Sequence, residues 1–215
     1  TLLEGDGDFR SPECVELLKE ADIVVTNPPF SLFRDYVALL MQYNKQFAII
    51  GNQNAITYRE IFPLIKSNKI WLGYNNGHYW FMVPDSYEEK KTDFKIDESG
   101  QKWRRMGNIC WFTNLDIEKR HEDMTLFRTY SPDIYPKYDN YDAIEVSKTA
   151  DIPCDYDGYM GVPITFMQYY NPEQFEIAGL DDHRVEWVGH GPRLNGKVKY
   201  RRVIIRRKQA NINEN

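Results

Sequence analysis

An α/β fold with a parallel sheet in its first half is what this sequence predicts, and three observations carry the prediction. Two short apolar runs rich in valine and isoleucine, "DIVVT" at 22–26 and "QFAII" at 46–50, have the length and composition of strands covered on both faces. Each run is followed by turn residues and then by helical periodicity. "KIWLGY", 69–74, completes a strand–helix–strand–helix–strand rhythm, the pattern of a parallel sheet with crossover helices.

Taken in order, Thr1 to Glu4 reads as the end of a strand, and "GDGDFRS" as the turn after it. Ser11 followed by Pro12 is a cap and a first-turn proline, opening a helix to about Ala21. After strand 22–26, Pro28 and Pro29 end the ladder, because neither has an N–H to donate. Ser31 can cap the next helix, 32 to about 43, whose apolar side is Leu32, Val37, Leu39 and Leu40. "GNQNAI" follows the second strand. Thr57 as cap, Glu60 as its capping-box partner and an Ile56–Ile61 staple predict a third helix to about Ser67. From Gly77 the rhythm changes: "HYWFMVP" and "GNICWFTNL" read as strands, and the charged segment 85–107 between them as a loop or hairpin. Past about Lys119, proline, tyrosine and aspartate dominate. "MGVPITFMQYYNPEQFEIAGL" and "GKVKYRRVIIRR" there suggest further strands, in a mixed, β-rich region with a boundary near residue 120.

The 215 residues suit one large domain or two small ones. No segment approaches the roughly 20 apolar residues of a membrane span, and no signal peptide opens the chain. Cys14, Cys110 and Cys154 are odd in number and lack metal-ligand spacing, so they read as buried, reduced thiols of a cytoplasmic protein. His78, His121, His183 and His190 show no ligand spacing either, and no metal is expected. The net charge of −5 argues mildly against a nucleic-acid partner for the whole surface. Its distribution is uneven, because Arg193 to Lys208 holds eight basic residues and no acidic one. That run is either a solvated face or a phosphate-contacting patch. The chain begins with threonine close to a strand, which reads as a piece of a longer protein.

The stretch Asn27-Pro28-Pro29-Phe30 lies after a strand and before a helix, at the carboxyl edge where open α/β sheets bind ligands. Methylating the exocyclic amino group of a base requires acceptors for its two N–H groups and stabilisation of the charge that develops. Asn27 offers a side-chain oxygen and Pro28 a carbonyl restricted by Pro29. Phe30 offers a flat face for an extruded base. The plainer alternative is a rigid turn with Phe30 in the core. In "GDGDFRS", Asp6 or Asp8 ends the preceding strand, and Asp8 with Phe9 can receive a cofactor's adenine, or the segment is simply a Gly-Asp turn. Asn52 and Asn54 in "GNQNAI" are a third candidate on that edge, or turn residues before a cap.

With these pieces assembled, the chain resembles the EcoRI-type adenine-specific DNA methyltransferases. The resemblance rests on "EGDGDFRS", "ADIVVTNPPFSLFRDYV", "IIGNQNAITYREIFPLIK", "WLGYNNG", "YDGYMGVPITFMQYYNPEQFEI" and "NGKVKYRRVIIRR", and covers nearly the whole chain. It implies a Rossmann-like class I S-adenosylmethionine-dependent methyltransferase sheet, with the amino-terminal strands missing and a C-terminal recognition region. Residues 1–120 would be the C-terminal part of the catalytic domain and 121–215 the DNA target-recognition region. The implied activity is methyl transfer from S-adenosylmethionine to N6 of a flipped adenine in duplex DNA, as the modification half of a restriction–modification system. The resemblance places Asn27, Pro28, Pro29 and Phe30 in catalysis and Asp8, Phe9 and Asp6 at the cofactor. Arg193, Lys197, Lys199, Arg201, Arg202, Arg206 and Arg207 would contact DNA, about half of them if they alternate along a strand. Tyr169, Tyr170 and Trp187 are expected in the core. The family's glycine-rich cofactor loop has no counterpart here, and "GHGPRLNG" precedes a basic strand rather than a cradling helix. Two rival readings stand: a methyltransferase acting on RNA or on a protein amide, and a DNA-binding fragment without catalysis. No membrane partner is expected, and a monomer suffices.

Overall fold

The computed structural model describes residue 3 and residues 5–181 and 191–208. They form two compact units, 1–55 with 72–115, and 56–71 with 116–215.

In the first unit, α1 (Pro12–Glu20) starts as expected, with Ser11 Oγ accepting from Cys14 N at 3.2 Å and Pro12 in the first turn. β1 (Ile23–Thr26) pairs in parallel with β2 (Gln46–Asn52), Thr26 opposite Ile49. α2 (Phe33–Gln42) connects them. Its entry differs from the expectation. Residues 30–32 form a 3-10 turn that holds Ser31, and no side chain caps α2. Lys45 ties the layers together, its Nζ donating to the carbonyls of Lys19 and Ala21 at 2.7 and 2.8 Å.

The sheet is mixed rather than parallel. "KIWLGY" and "HYWFMVP" are not two strands but parts of one, β3 (Trp71–Met82). β4 (Phe94–Ile96) and β5 (Lys102–Thr113) follow, and the sheet order is β1-β2-β5-β3. β5 lies between β2 and β3 and runs antiparallel to β2, Asn52 opposite Ile109 and Ala48 opposite Thr113. Three bonds lock that pairing: Thr113 Oγ1 donates to Phe47 O at 2.6 Å, Phe47 N to Asn114 Oδ1 at 2.8 Å, and Asn114 Nδ2 to Lys45 O at 2.8 Å. Phe33, Val37, Leu40, Phe47, Ile49, Cys110 and Phe112 make the core. β1 is not covered on both faces as expected, since Ile23 and Val25 are exposed.

In the second unit, the third helix is short and late. Residues 53–57 are a 3-10 turn, and α3 spans Phe62–Lys66 with Pro63 in its first turn. Thr57 is not the cap of α3: it closes the 3-10 turn, Ile61 stands at the cap position without a side-chain cap bond, and the Thr57 hydroxyl accepts from Arg201 Nη1. Four strands, β6 (Ala143–Glu145), β7 (Tyr159–Val162), β8 (Phe175–Asp181) and a basic carboxyl-terminal strand (Arg202–Arg207), form a sheet in the order β6-β7-basic strand-β8. Lys66 Nζ bonds Ala178 O on β8 at 2.6 Å. "RLNGKV" folds into a hairpin, β9 (Arg193–Leu194) and β10 (Lys197–Val198), and the basic strand is β11. Asn195 and Gly196 both take positive φ, as a two-residue hairpin turn requires. Tyr170 is buried as expected, whereas Tyr169 is exposed. Trp187, His183 and His190 lie outside the described residues, as does the side chain of His78. Of the free cysteines only Cys110 is buried, and burial pushes its thiol up to about 12.

No helix among the described residues is long and apolar enough to cross a membrane, and no group of three or more metal-ligating side chains occurs there. His121 sits between two carboxylates, Nε2 2.8 Å from Asp116 and Nδ1 3.0 Å from Glu173. Asp116 and then Glu173 raise its pKa above the ordinary value. A raised folded pKa contributes stability that is complete below about pH 6.5, the unfolded value, and is lost as pH rises through the folded one. His121→Gln is therefore expected to lower the melting temperature more at pH 5.5 than at pH 8.5, which thermal melts of both proteins at the two pH values will read.

Candidate active site

The site is assembled at the carboxyl edge of β1 and β2. Because these strands are parallel, the turns that follow both of them lie on one edge. After Thr26 the chain leaves β1 through Asn27, buried Pro28 and Pro29, and enters the 3-10 turn at Phe30. The Pro29 carbonyl accepts from Leu32 N at 2.9 Å. Among the described residues no donor meets the Asn27 side chain or the Pro28 carbonyl, so both acceptors remain available. Phe30 is 41% exposed, a surface face rather than a core residue. The sequence-based grouping of an amide oxygen, a carbonyl and an aromatic face is thus kept together by two residues of fixed φ.

What holds this turn in place is the close packing just beyond it. The rings of Phe33 and Phe112 lie over Gly51 of β2, and a Cβ there would be 2.6 Å from Phe33 Cε2 and 2.8 Å from Phe112 Cε2. Phe33 is the first residue of α2, so the helix after the turn is seated directly on the end of β2. Gly51→Ala is expected to lower stability by about 1–3 kcal/mol through overpacking. Chemical denaturation will measure that cost, and the displaced turn should lower turnover beyond what the unfolded fraction explains.

The "GDGDF" turn lies beside this one. The Phe9 ring meets Tyr36 of α2 edge-on at 4.9 Å between centroids. Asp6 Oδ1 accepts from Asp8 N at 3.1 Å, which shapes the turn. Asp8 is held by Arg10, whose backbone N and Nε donate to Oδ1 at 2.9 and 3.0 Å and whose Nη2 donates to Oδ2 at 2.7 Å. That side-chain bonding lowers the Asp8 pKa to about 2, so the carboxylate is ionised and acceptor-only at neutral pH. Phe9 also lines an apolar cavity of about 380 Å³ whose walls include Leu18, Val24, Tyr36 and Leu39. An anionic acceptor next to an aromatic ring and an apolar hollow suits the adenine end of a nucleoside cofactor.

Asn52 Oδ1 accepts from Asn54 N at 2.9 Å, so the third candidate is at least partly a turn. Sequence reasoning passed over its neighbour. Gln53 is buried, and its Nε2 has no hydrogen-bond partner among the described residues. A buried donor left unmade is costly and points to a role. Its signal was a glutamine between two turn-forming asparagines after a buried strand.

The basic residues divide sharply. Arg193, Lys197 and Lys199, in and just after the β9–β10 hairpin, are exposed, and so are Val198 and Tyr200 beside them. Arg206 pairs with Glu176 at 2.8 Å and lies over the Tyr159 ring, while Arg207 donates to the Cys154 carbonyl. Arg201 is held at Thr57. Arg202 turns inward and is removed from the surface, contrary to its expected place against DNA. Its Nη2 donates to Glu145 Oε1 at 2.6 Å and its Nε to Oε2 at 3.1 Å, with Tyr138 Oη and Ser147 Oγ donating to the same carboxylate. Burial works against the charge on Glu145, but Arg202, Tyr138 and Ser147 outweigh it and its pKa falls. Arg202→Ala strands that charge and is expected to cost about 3–5 kcal/mol. Lys197→Ala and Lys199→Ala should leave the melting temperature unchanged in the same thermal melts.

Comparison with known proteins places the chain in a family. The family described as adenine-specific methyltransferase EcoRI matches residues 1–208. The chain belongs to that family. It is 52% identical over 213 residues to the type II methyltransferase M.EcoRI of Escherichia coli, a match covering 95% of this chain and 63% of that protein. It is 41% identical over 229 residues to the type II methyltransferase M.MpnI of Mycoplasma pneumoniae, covering 96% of this chain and 70% of that protein. The chain thus spans less than two thirds of the length of M.EcoRI. No solved structure gives a significant match.

Proposed function

We propose that the protein transfers a methyl group from S-adenosylmethionine to N6 of an adenine in a specific duplex DNA sequence, as the modification enzyme of a restriction–modification system. Supporting this are the family and the free acceptors of Asn27 and Pro28 next to an exposed Phe30. The mixed sheet is read as the carboxyl half of a Rossmann-like class I methyltransferase sheet. Residues 1–120 are assigned to methyl transfer and 121–215 to target recognition, in a cytoplasmic monomer.

In this mechanism the extruded adenine stacks on Phe30, and its amino N–H groups donate to Asn27 Oδ1 and the Pro28 carbonyl. Those acceptors draw the amino nitrogen out of conjugation and stabilise the positive charge it acquires. Pro29 keeps the Pro28 carbonyl from turning away. The cofactor, when bound, supplies an electrophilic sulfonium methyl. Asp8 would accept from its adenine amino group, which the ionised state of that carboxylate permits, and Phe9 would pack on the ring. Arg193, Lys197, Lys199, Arg206 and Arg207 remain assigned to phosphate or base contacts, with the exposed three carrying most of the electrostatic attraction.

Incubation with methyl-labelled S-adenosylmethionine and unmethylated duplex DNA, followed by nucleoside analysis, should place label on N6-methyladenine. Label on RNA or on protein instead would refute the assignment. Asn27→Ala is expected to reduce transfer by about 10²–10³-fold, the scale of losing one preorganised hydrogen-bonding group, while DNA binding is retained.

A further inference from the structure

β5 is longer than the strand it pairs with. Its residues 109–113 lie against β2, so Lys102–Asn108 run on past Asn52, beyond the carboxyl edge that carries Asn27. Seven residues at about 3.3 Å each extend roughly 23 Å. The extension is not a lone strand. β4 pairs with Lys102–Arg104 on one side, and the end of β3 lies on the other, with Val83 N donating to Lys102 O at 3.0 Å. A β-ribbon thus projects from the sheet on the side of the catalytic turn.

Its surface is unusual for a solvated hairpin. None of β3, β4 and β5 contains an aspartate or glutamate, while Lys95, Lys102, Arg104 and Arg105 stand on them. Arg105 is neutralised by Asp93 at 2.6 Å. Among the described residues Lys102 and Arg104 bond backbone carbonyls rather than carboxylates, Lys102 those of Asp85 and Tyr87 and Arg104 those of Thr92 and Asp93. Lys95 has its ammonium 4.7 Å from the Trp80 ring centroid and 5.8 Å from that of Trp103. Trp80, Phe81, Met82, Ile96 and Met106 are all exposed. Apart from Asp97, held by Trp103 Nε1 and Ser99, the nearby carboxylates lie in the 85–93 turn and at Glu98.

We propose that this ribbon is a DNA-contacting surface of the catalytic unit itself, lying along a groove of the duplex beside the extruded adenine. The proposal rests on duplex DNA being the acceptor, as argued above. One face of the ribbon carries Lys95 beside Trp103 and the exposed Trp80, a cation that matches phosphate next to rings that suit sugar and base faces. The ribbon's origin at the catalytic edge puts these groups within reach of DNA whose base is held at Asn27.

The experiment compares wild type with Lys95→Gln in binding to duplex DNA across a salt series, and in methyl transfer at saturating DNA. The variant's plot of log affinity against log salt should be shallower by about one, the value of one phosphate contact. Its affinity at low salt should fall several-fold, with turnover at saturation retained. In the unaltered protein, duplex DNA should protect the Lys95 amine from acylation, a readout independent of folding in the variant. An unchanged salt slope with Lys95 unprotected, in a protein that does methylate duplex DNA, overturns the ribbon's role and leaves the activity standing. A change in particle mass on substitution would make the ribbon a self-association surface and also overturn it. Failure of the wild type to bind or methylate duplex DNA overturns both readings.

Discussion

The missing side chain at Gly51 governs the first unit. Two phenylalanine rings occupy the space a Cβ would need, one from the start of α2 and one from β5. Their interlock fixes the helix, the parallel strand and the inserted antiparallel strand to one another at a single point. That point is Phe33, three residues past Phe30. The turn between Thr26 and Phe33 is therefore spanned by a fixed strand end and a fixed helix start, and its two prolines remove what slack remains. A preorganised acceptor pair needs such a frame, because its benefit disappears if the carbonyl and amide can rotate toward water.

The local parts of this arrangement were legible in the residues. Ser11-Pro12 capped the helix it predicted, and the prolines at 28 and 29 ended the strand they follow, because both effects depend on neighbours in sequence. The order of the sheet was not legible. A strand of alternating or apolar residues carries no mark of its partner, and β5 reaches its place beside β2 across some sixty residues, with pairs such as Phe47 and Asn114. Thr57 shows the same limit in miniature. Its capping-box spacing to Glu60 is locally well formed, yet Thr57 closes a 3-10 turn, α3 starts only at Phe62, and the Thr57 hydroxyl accepts from Arg201, 144 residues away. A tertiary contact overrode a local preference, as propensity arguments allow.

Arg202 and Gln53 mark where reading a site from residue types fails. In sequence Arg202 is one more cation in a basic run, and only its pairing with Glu145, 57 residues distant, makes it a core residue. Gln53 has the opposite history: an ordinary turn amide until burial leaves its donor without a partner among the described residues. Side-chain chemistry can be read along the chain, but direction cannot, because one residue of register turns a side chain from solvent to core.

This bears on how charge should be weighed in a protein of net charge −5. The basic carboxyl-terminal run stands out in sequence because its cations are clustered, yet several are bound to Glu145, Glu176, Thr57 or the Cys154 carbonyl. The ribbon strands do not stand out, because their cations are interspersed with aromatics and bordered by acidic turns. Attraction for a polyanion depends on charge that is exposed, unpaired and on one surface. By that measure Lys95 ranks with Arg193, Lys197 and Lys199, and the total charge of the chain says little about any of them. An acidic protein can hold a phosphate backbone when its carboxylates are spent on its own arginines or kept off the strands that face it.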